Sequence, residues 1–211
     1  MKKLTLVILL LAAAGLGCKF IQNLAPGGGG GGASSDPKAD VIEASRKFIA
    51  LKSFSAKMEG TGQTEIKSQV DYAEPDRFHV KYLAGTGAGM ELIMIGNQTY
   101  MKNGGSWSKM PRNNGRSSVP SLRDSFTEEG LKTLSDVKFE GNETVDGKAA
   151  LIYSYKNVTP VGKYPFSSKI WIGRDSGVPI KIVVDYPSGP LKQMTVNYDT
   201  ETPVTIEPPI K

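Results

Sequence analysis

Few side chains in this 211-residue chain can do chemistry, and their types narrow what that chemistry is. Cys18 is the single cysteine and His79 the single histidine. One cysteine cannot form an internal bridge, so the fold must hold without a disulfide. One histidine rules out a His-rich metal site and leaves at most one base for a Ser-His-Asp triad. His79 also alternates with Phe78 and Val80, which turns it toward water on a strand. Glu128, Glu129 and Glu201 stand in polar sequence, with no apolar pocket to raise a carboxyl pKa as acid–base work requires. The glycine run at residues 27–32 has neither the preceding strand, the following helix nor the Lys-Ser/Thr of a phosphate loop. The expectation is a protein that is not an enzyme and needs no metal or cofactor.

Cys18 is informative because of what precedes it. Met1-Lys2-Lys3 is a short positive start, Leu4 to Ala14 is apolar and uncharged, and Gly15-Leu16-Gly17 is mostly small. That tripartite order is a cleaved export signal over residues 1–17, and the apolar run is shorter than the roughly 20 residues a bilayer span needs. The cysteine at its end resembles the acylated cysteine of bacterial lipoproteins, with Gly15 standing where Leu is usual and Leu16 following. The resemblance implies a membrane anchor at Cys18. Residues 18–35, with their glycine run, then read as a flexible tether, about 20 residues of such sequence reaching some 25 Å. Asn97-Gln98-Thr99, Asn142-Glu143-Thr144 and Asn157-Val158-Thr159 match the glycosylation pattern, but a bacterial signal makes these chance matches.

The remaining residues, 36–211, are consistent with one domain large enough to bury a core. The formal charge of +5 falls to +3 once Lys2 and Lys3 leave with the signal. Its basic residues (Lys57, Lys67, Lys81, Lys102 and Lys181 among them) are scattered singly, which argues against nucleic acid as a partner.

The periodicity begins helical and turns to two. Asp36 caps and Pro37 starts a helix whose stripe is Val41, Ala44, Phe48 and Leu51, with Ser45, Arg46 and Lys47 off it and an end near Ser53. From Phe54 onward, alternating segments separated by turns at 74–76, 85–89, 96–97 and 103–105 predict an antiparallel sheet. Helical spacing returns at Val119, Leu122, Phe126, Leu131 and Leu134, giving one helix or two short ones. Strands resume from Val137, with an Asp146-Gly147 hairpin turn, and run to Tyr198. Trp107 and Trp171 are expected to pack in the core or hairpins. The predicted fold is α+β: the sheet can close on itself or curl around the helices, and with two amphipathic helices available curling is the simpler solution.

Four stretches carry a closer resemblance: Lys52-Ser53-Phe54 after the first helix; Tyr72 to Phe78, containing Pro75-Asp76-Arg77-Phe78; Ile95 to Tyr100 with Trp107; and Gly141 to Tyr153 with Trp171-Ile172 and Gly177 to Lys181. In this order they resemble the superfamily of LolA, LolB, LppX, LprG and RseB, which implies a strongly curved antiparallel half-barrel sheet with helices plugging the concave side. The resemblance implies an apolar cavity between half-barrel and helices that takes up acyl chains, lined here by Phe54, Met58, Ile66, Val70, Phe78, Val80, Tyr82, Leu92 and Met94. Leu122, Phe126 and Leu131 would form the lid. Methionines such as Met58, Met90, Met94 and Met101 suit an irregular lipid. The implied partners are a membrane through Cys18 and a lipid or the acyl chains of a lipoprotein, in the cell envelope. Lys19 after the cysteine permits an outer membrane's periplasmic face in a two-membrane host. In a one-membrane host the domain faces outward. The alternative reading is a non-catalytic sensor or scaffold that binds an envelope protein.

Overall fold

The computed structural model describes residues 32–63, 65–110, 123, 126–158 and 165–210. Cys18, the export signal, nearly all of the tether, Val119 and Leu122 lie outside the described residues.

The first helix, α1, spans Pro37–Ile49. The Asp36 side chain accepts from the backbone N–H groups of Lys38 and Ala39, and the proline starts the first turn, as cap chemistry dictates. Val41, Ala44 and Phe48 are buried, and Ser45 joins them. Ser45 was expected off the stripe. Its hydroxyl donates to the Val41 carbonyl at 2.7 Å, which lets a small polar side chain sit in the apolar contact. The helix also ends earlier than expected, with Ala50 as its C-cap.

Eleven strands follow: β1 Ser53–Gly62, β2 Ile66–Ala73, β3 Arg77–Ala84, β4 Glu91–Ile95, β5 Gln98–Asn103, β6 Ser106–Lys109, β7 Ser135–Val145, β8 Lys148–Val158, β9 Pro165–Gly173, β10 Pro179–Asp185 and β11 Leu191–Asp199. A short helix, α2, occupies Glu128–Lys132 between β6 and β7. All pairings are antiparallel, in the order β6-β5-β4-β3-β2-β1-β11-β10-β9-β8-β7. The sheet is curved and unclosed, as expected, with β6 and β7 at its edges. Every neighbour is consecutive in sequence except the central β1–β11 pair, where Ala56 faces Tyr198 and Met58 faces Val196.

The concave face holds the main core. Phe48 sits at the centre of an aromatic cluster, its ring 4.8 Å from Phe54, 4.8 Å from Phe126 and 4.9 Å from Tyr198. Phe54 continues to Tyr72, and Tyr72 to Phe78, each at 5.2 Å. Burying four or five rings in one place is a large apolar contribution, about 1.5–3 kcal/mol for each side chain. The helices are pinned over this face by polar contacts. The Tyr153 hydroxyl on β8 donates to Asp40 at 2.7 Å, and Lys38 Nζ donates to the Leu134 carbonyl at 2.9 Å. Thr133, just past α2, bonds Asn157 on β8. α2 begins at an extended Thr127 cap, so helical structure does not run straight through Phe126 into it.

Candidate functional site on the concave face

Residues that face one another across a ladder share a side of the sheet, so register alone assembles the concave surface. One row reads Tyr82, Ser68, Met58, Val196, Ile182, Ile170 and Tyr153 across β3, β2, β1, β11, β10, β9 and β8. The next row toward the β10–β11 turn reads Ile66, Gly60, Met194, Val184, Ser168 and Tyr155.

These rows differ in closure. Of the expected lining residues, Phe54, Met58, Val70, Val80, Leu92, Met94, Phe126 and Leu131 are brought together in the main core and are buried. Val70 and Val80 expose nothing. Phe78 and Tyr82 pack against that core while remaining partly exposed, and Ile66 is partly exposed at the start of β2. Leu122 lies outside the described residues. Met90, Met101, Val184 and Met194 are also partly exposed and packed against the core. The sequence reading put none of the late-strand residues in the site, although alternation from Met194 to Val196 and Tyr198 carried the signal.

Two glycines in this region are covered by long side chains. An added Cβ at Gly60 would meet Leu191 Cδ1 at 2.8 Å, Ile66 Cβ at 3.4 Å and Met194 Cε at 3.6 Å, so Leu191 and Met194 fold over the glycine. At Gly87 the Met90 methyl comes to 3.3 Å and the Tyr82 ring to 3.8 Å. Unbranched thioethers over glycine can rearrange with little rotamer strain.

Polar groups are sparse but specific. Burial pushes the Tyr155 hydroxyl up to about 12, keeping it protonated, while the nearby Ser168 hydroxyl opposes the rise. The two are close enough to influence one another, yet Ser168 Oγ makes no hydrogen bond of ordinary geometry among the described residues. At the plugged end, Arg123 stacks over Tyr72 at 4.4 Å and donates from Nη2 to the Ile49 carbonyl at 2.5 Å. These contacts tie the segment before α2 onto the mouth of the aromatic cluster.

The convex face carries the polar chemistry. His79 is there, as its alternation required, but it is not free in water. Its Nε2 lies 3.0 Å from Glu91 and its Nδ1 lies 3.8 Å from Asp71. Lys102 Nζ donates to Glu91 at 2.9 Å, and Ser55 Oγ donates to Asp71 at 2.7 Å. The serine bonds a carboxylate rather than the imidazole, so this ladder is not arranged as a nucleophile and base. Among the described residues no group of three or more His, Cys, Asp or Glu could hold a metal ion. Ala73, Ile93, Tyr100 and Ile206 form a small second core on this face, with Val204 and Trp107 against it. Trp171 packs with Ala150 and Ile180 in a third, and its indole N–H donates to Glu143 at 2.7 Å.

No protein-family model and no curated protein sequence matches the chain. Solved structures do. Lipoprotein LppX of Mycobacterium tuberculosis superposes with a TM-score of 0.61 at 17% identity, covering 81% of this chain and 98% of LppX. LprF of Mycobacterium bovis gives 0.63 at 14% identity, covering 86% of this chain and 100% of LprF. Identities this low speak to architecture, and the architecture agrees over nearly the whole of both structures. The chain thus shares the curved, unclosed half-barrel fold of LppX and LprF.

Proposed function

We propose that this protein is a membrane-tied lipoprotein of the cell envelope, anchored by acylation of Cys18, whose half-barrel holds or passes the acyl chains of a lipid. The observation that carries the reading is the uneven closure of the concave face. α1, Phe126 and α2 cover part of it, while Phe78, Tyr82, Met90, Met101, Val184 and Met194 remain partly exposed in continuity with the core. An acyl chain entering there would replace contacts to water with contacts to thioethers and rings, at about 0.8 kcal/mol for each buried methylene. Such binding needs no catalytic group, and the polar ladder on the opposite face leaves the apolar surface to the ligand. LppX, which shares the fold, is itself a lipoprotein.

The test is native mass spectrometry of the full-length protein purified from bacterial membranes in a mild detergent. A lipid adduct in addition to the acyl modification at Cys18 is expected. Met101→Lys with Met194→Lys should abolish the adduct while circular dichroism stays unchanged. Absence of any adduct across several hosts overturns the carrier reading and leaves an anchored scaffold for an envelope protein.

A further inference from the structure

Lysines that stand singly in the sequence are collected by the sheet register. On the convex face one row runs from Trp107 on β6 to Trp171 on β9, and Lys102, Lys81, Lys57 and Lys181 lie along it. Glu91 is the one carboxylate in that row, and Lys102 and His79 already hold it, at 2.9 and 3.0 Å. Toward the β10–β11 turn, the next row adds Lys67 and Lys169, with Glu59 between them. Lys67 pairs with Glu65 at 2.8 Å.

This band of charge is open. Lys57 and Lys169 are exposed, and Lys81 and Lys181 are half-buried. Lys57, Lys81 and Lys169 form no ion pair among the described residues. Lys181 Nζ sits 4.6 Å from the centre of the Trp171 ring, a contact that leaves its charge unneutralised. The acids of the neighbouring row are held within the protein. Asp71 accepts from Ser55 at 2.7 Å and Gln69 at 3.0 Å, and Asp199 accepts from the backbone N–H groups of Glu201 and Thr202. The C-terminal Val204 and Ile206 pack on Ala73, Ile93 and Tyr100, while Lys57 and Lys169 stay in water.

Geometry and charge select the occupant. With strands about 4.8 Å apart, Lys81, Lys57 and Lys181 span about 19 Å of sheet. A convex surface cannot enclose a small ligand, so the complement is an extended anionic surface. A chain tied at Cys18 keeps a bilayer at high effective concentration, and weak charge contacts then suffice. We propose that this convex lysine band docks on the anionic headgroups of the membrane that carries the protein, turning the concave face away from the bilayer. This rests on the membrane tie read at Cys18 and not on what the concave face holds.

The experiment adds the full-length protein, purified from membranes in mild detergent, to preformed vesicles of phosphatidylcholine alone or mixed with phosphatidylglycerol. Brief acetylation and peptide mass spectrometry then read each amine. On mixed vesicles at low salt, Lys57, Lys81 and Lys169 should react at least about fivefold more slowly than on phosphatidylcholine, the effect of one lysine held near an anionic surface. High salt should erase the difference. Lys47 on α1 and Lys132 on α2 belong to the helices over the concave face and should react alike on both. Lys57→Gln with Lys81→Gln should return Lys169 to its phosphatidylcholine rate. Lys57→Arg with Lys81→Arg should keep it protected, as should Lys47→Gln with Lys132→Gln.

Equal rates on the two vesicle types overturn the inference. So does protection that survives the Lys57 and Lys81 glutamines, or that vanishes equally with those at Lys47 and Lys132, since net charge rather than this band would then be acting. Protection by soluble polyglutamate with none on mixed vesicles also overturns it and points to an acidic protein. Sedimentation with mixed vesicles but not with phosphatidylcholine alone refutes the acyl anchor and leaves the lysine band as the contact. Sedimentation with neither overturns both.

Discussion

Phe48 touches three aromatic rings from three different parts of the chain, Phe54, Phe126 and Tyr198. Phe48→Ala should therefore cost about 3–5 kcal/mol, measured by urea denaturation, because helix, plug and central strands all lose the same partner. Glu91 is a different case, on the opposite face. The hydrogen bond from Lys102 holds its carboxyl below the ordinary 4.5, helped by His79 and opposed by burial. A depressed native value means that the ladder's contribution is full above the ordinary value and is lost as pH falls through the native one. Glu91→Gln should be less stable than wild type at neutral pH, with the gap closing in acid unfolding series below about pH 4. Alternation made the outward direction of His79 legible. It could not show that Asp71 and Glu91 flank it, because that depends on the register of three strands.

α1 is docked largely by its N-terminal half. Burial pushes the Asp40 carboxyl up, but hydrogen bonds from Ser34 and Tyr153 outweigh it and the net shift is downward. Tyr153→Phe removes one of these donors and should cost about 1–2 kcal/mol, the partly exposed carboxylate keeping the figure low. Hydrogen exchange should then speed up first in the opening turns of α1. The start of this helix was readable from Asp36-Pro37, since caps are local chemistry. Its end was not, because Leu51 keeps the stripe's spacing while lying beyond the last helical turn. The Asp146-Gly147 hairpin was equally local: both residues adopt positive φ, 49° and 80°, which that pair tolerates best. The plugging segment was read from spacing alone. Spacing gave Phe126, Leu131 and Leu134 their inward side but not the extended Thr127 that separates Phe126 from α2.

For the molecule as a whole, period-two sequence with short turns was enough to imply a curved antiparallel sheet under helices. It did not fix which strands meet in the middle, since no local signal encodes a contact between residues 56 and 198. The membrane connection is independent of the fold and is tested separately: Cys18→Ser should move the protein into the soluble fraction of lysed cells, and persistence on membranes after a salt wash argues against acylation. The central β1–β11 seam has one more consequence. β1 to β6 and β7 to β11 are each an unbroken series of hairpins, so every long-distance backbone pairing of the sheet is concentrated in that seam. A polypeptide severed between Met110 and Phe126 would thus yield two meanders of low contact order, one carrying Phe48 and the other Phe126 and Tyr198. Mixed together, they should knit through the seam and the shared rings into a functional two-piece protein, with assembly rather than hairpin formation setting the pace.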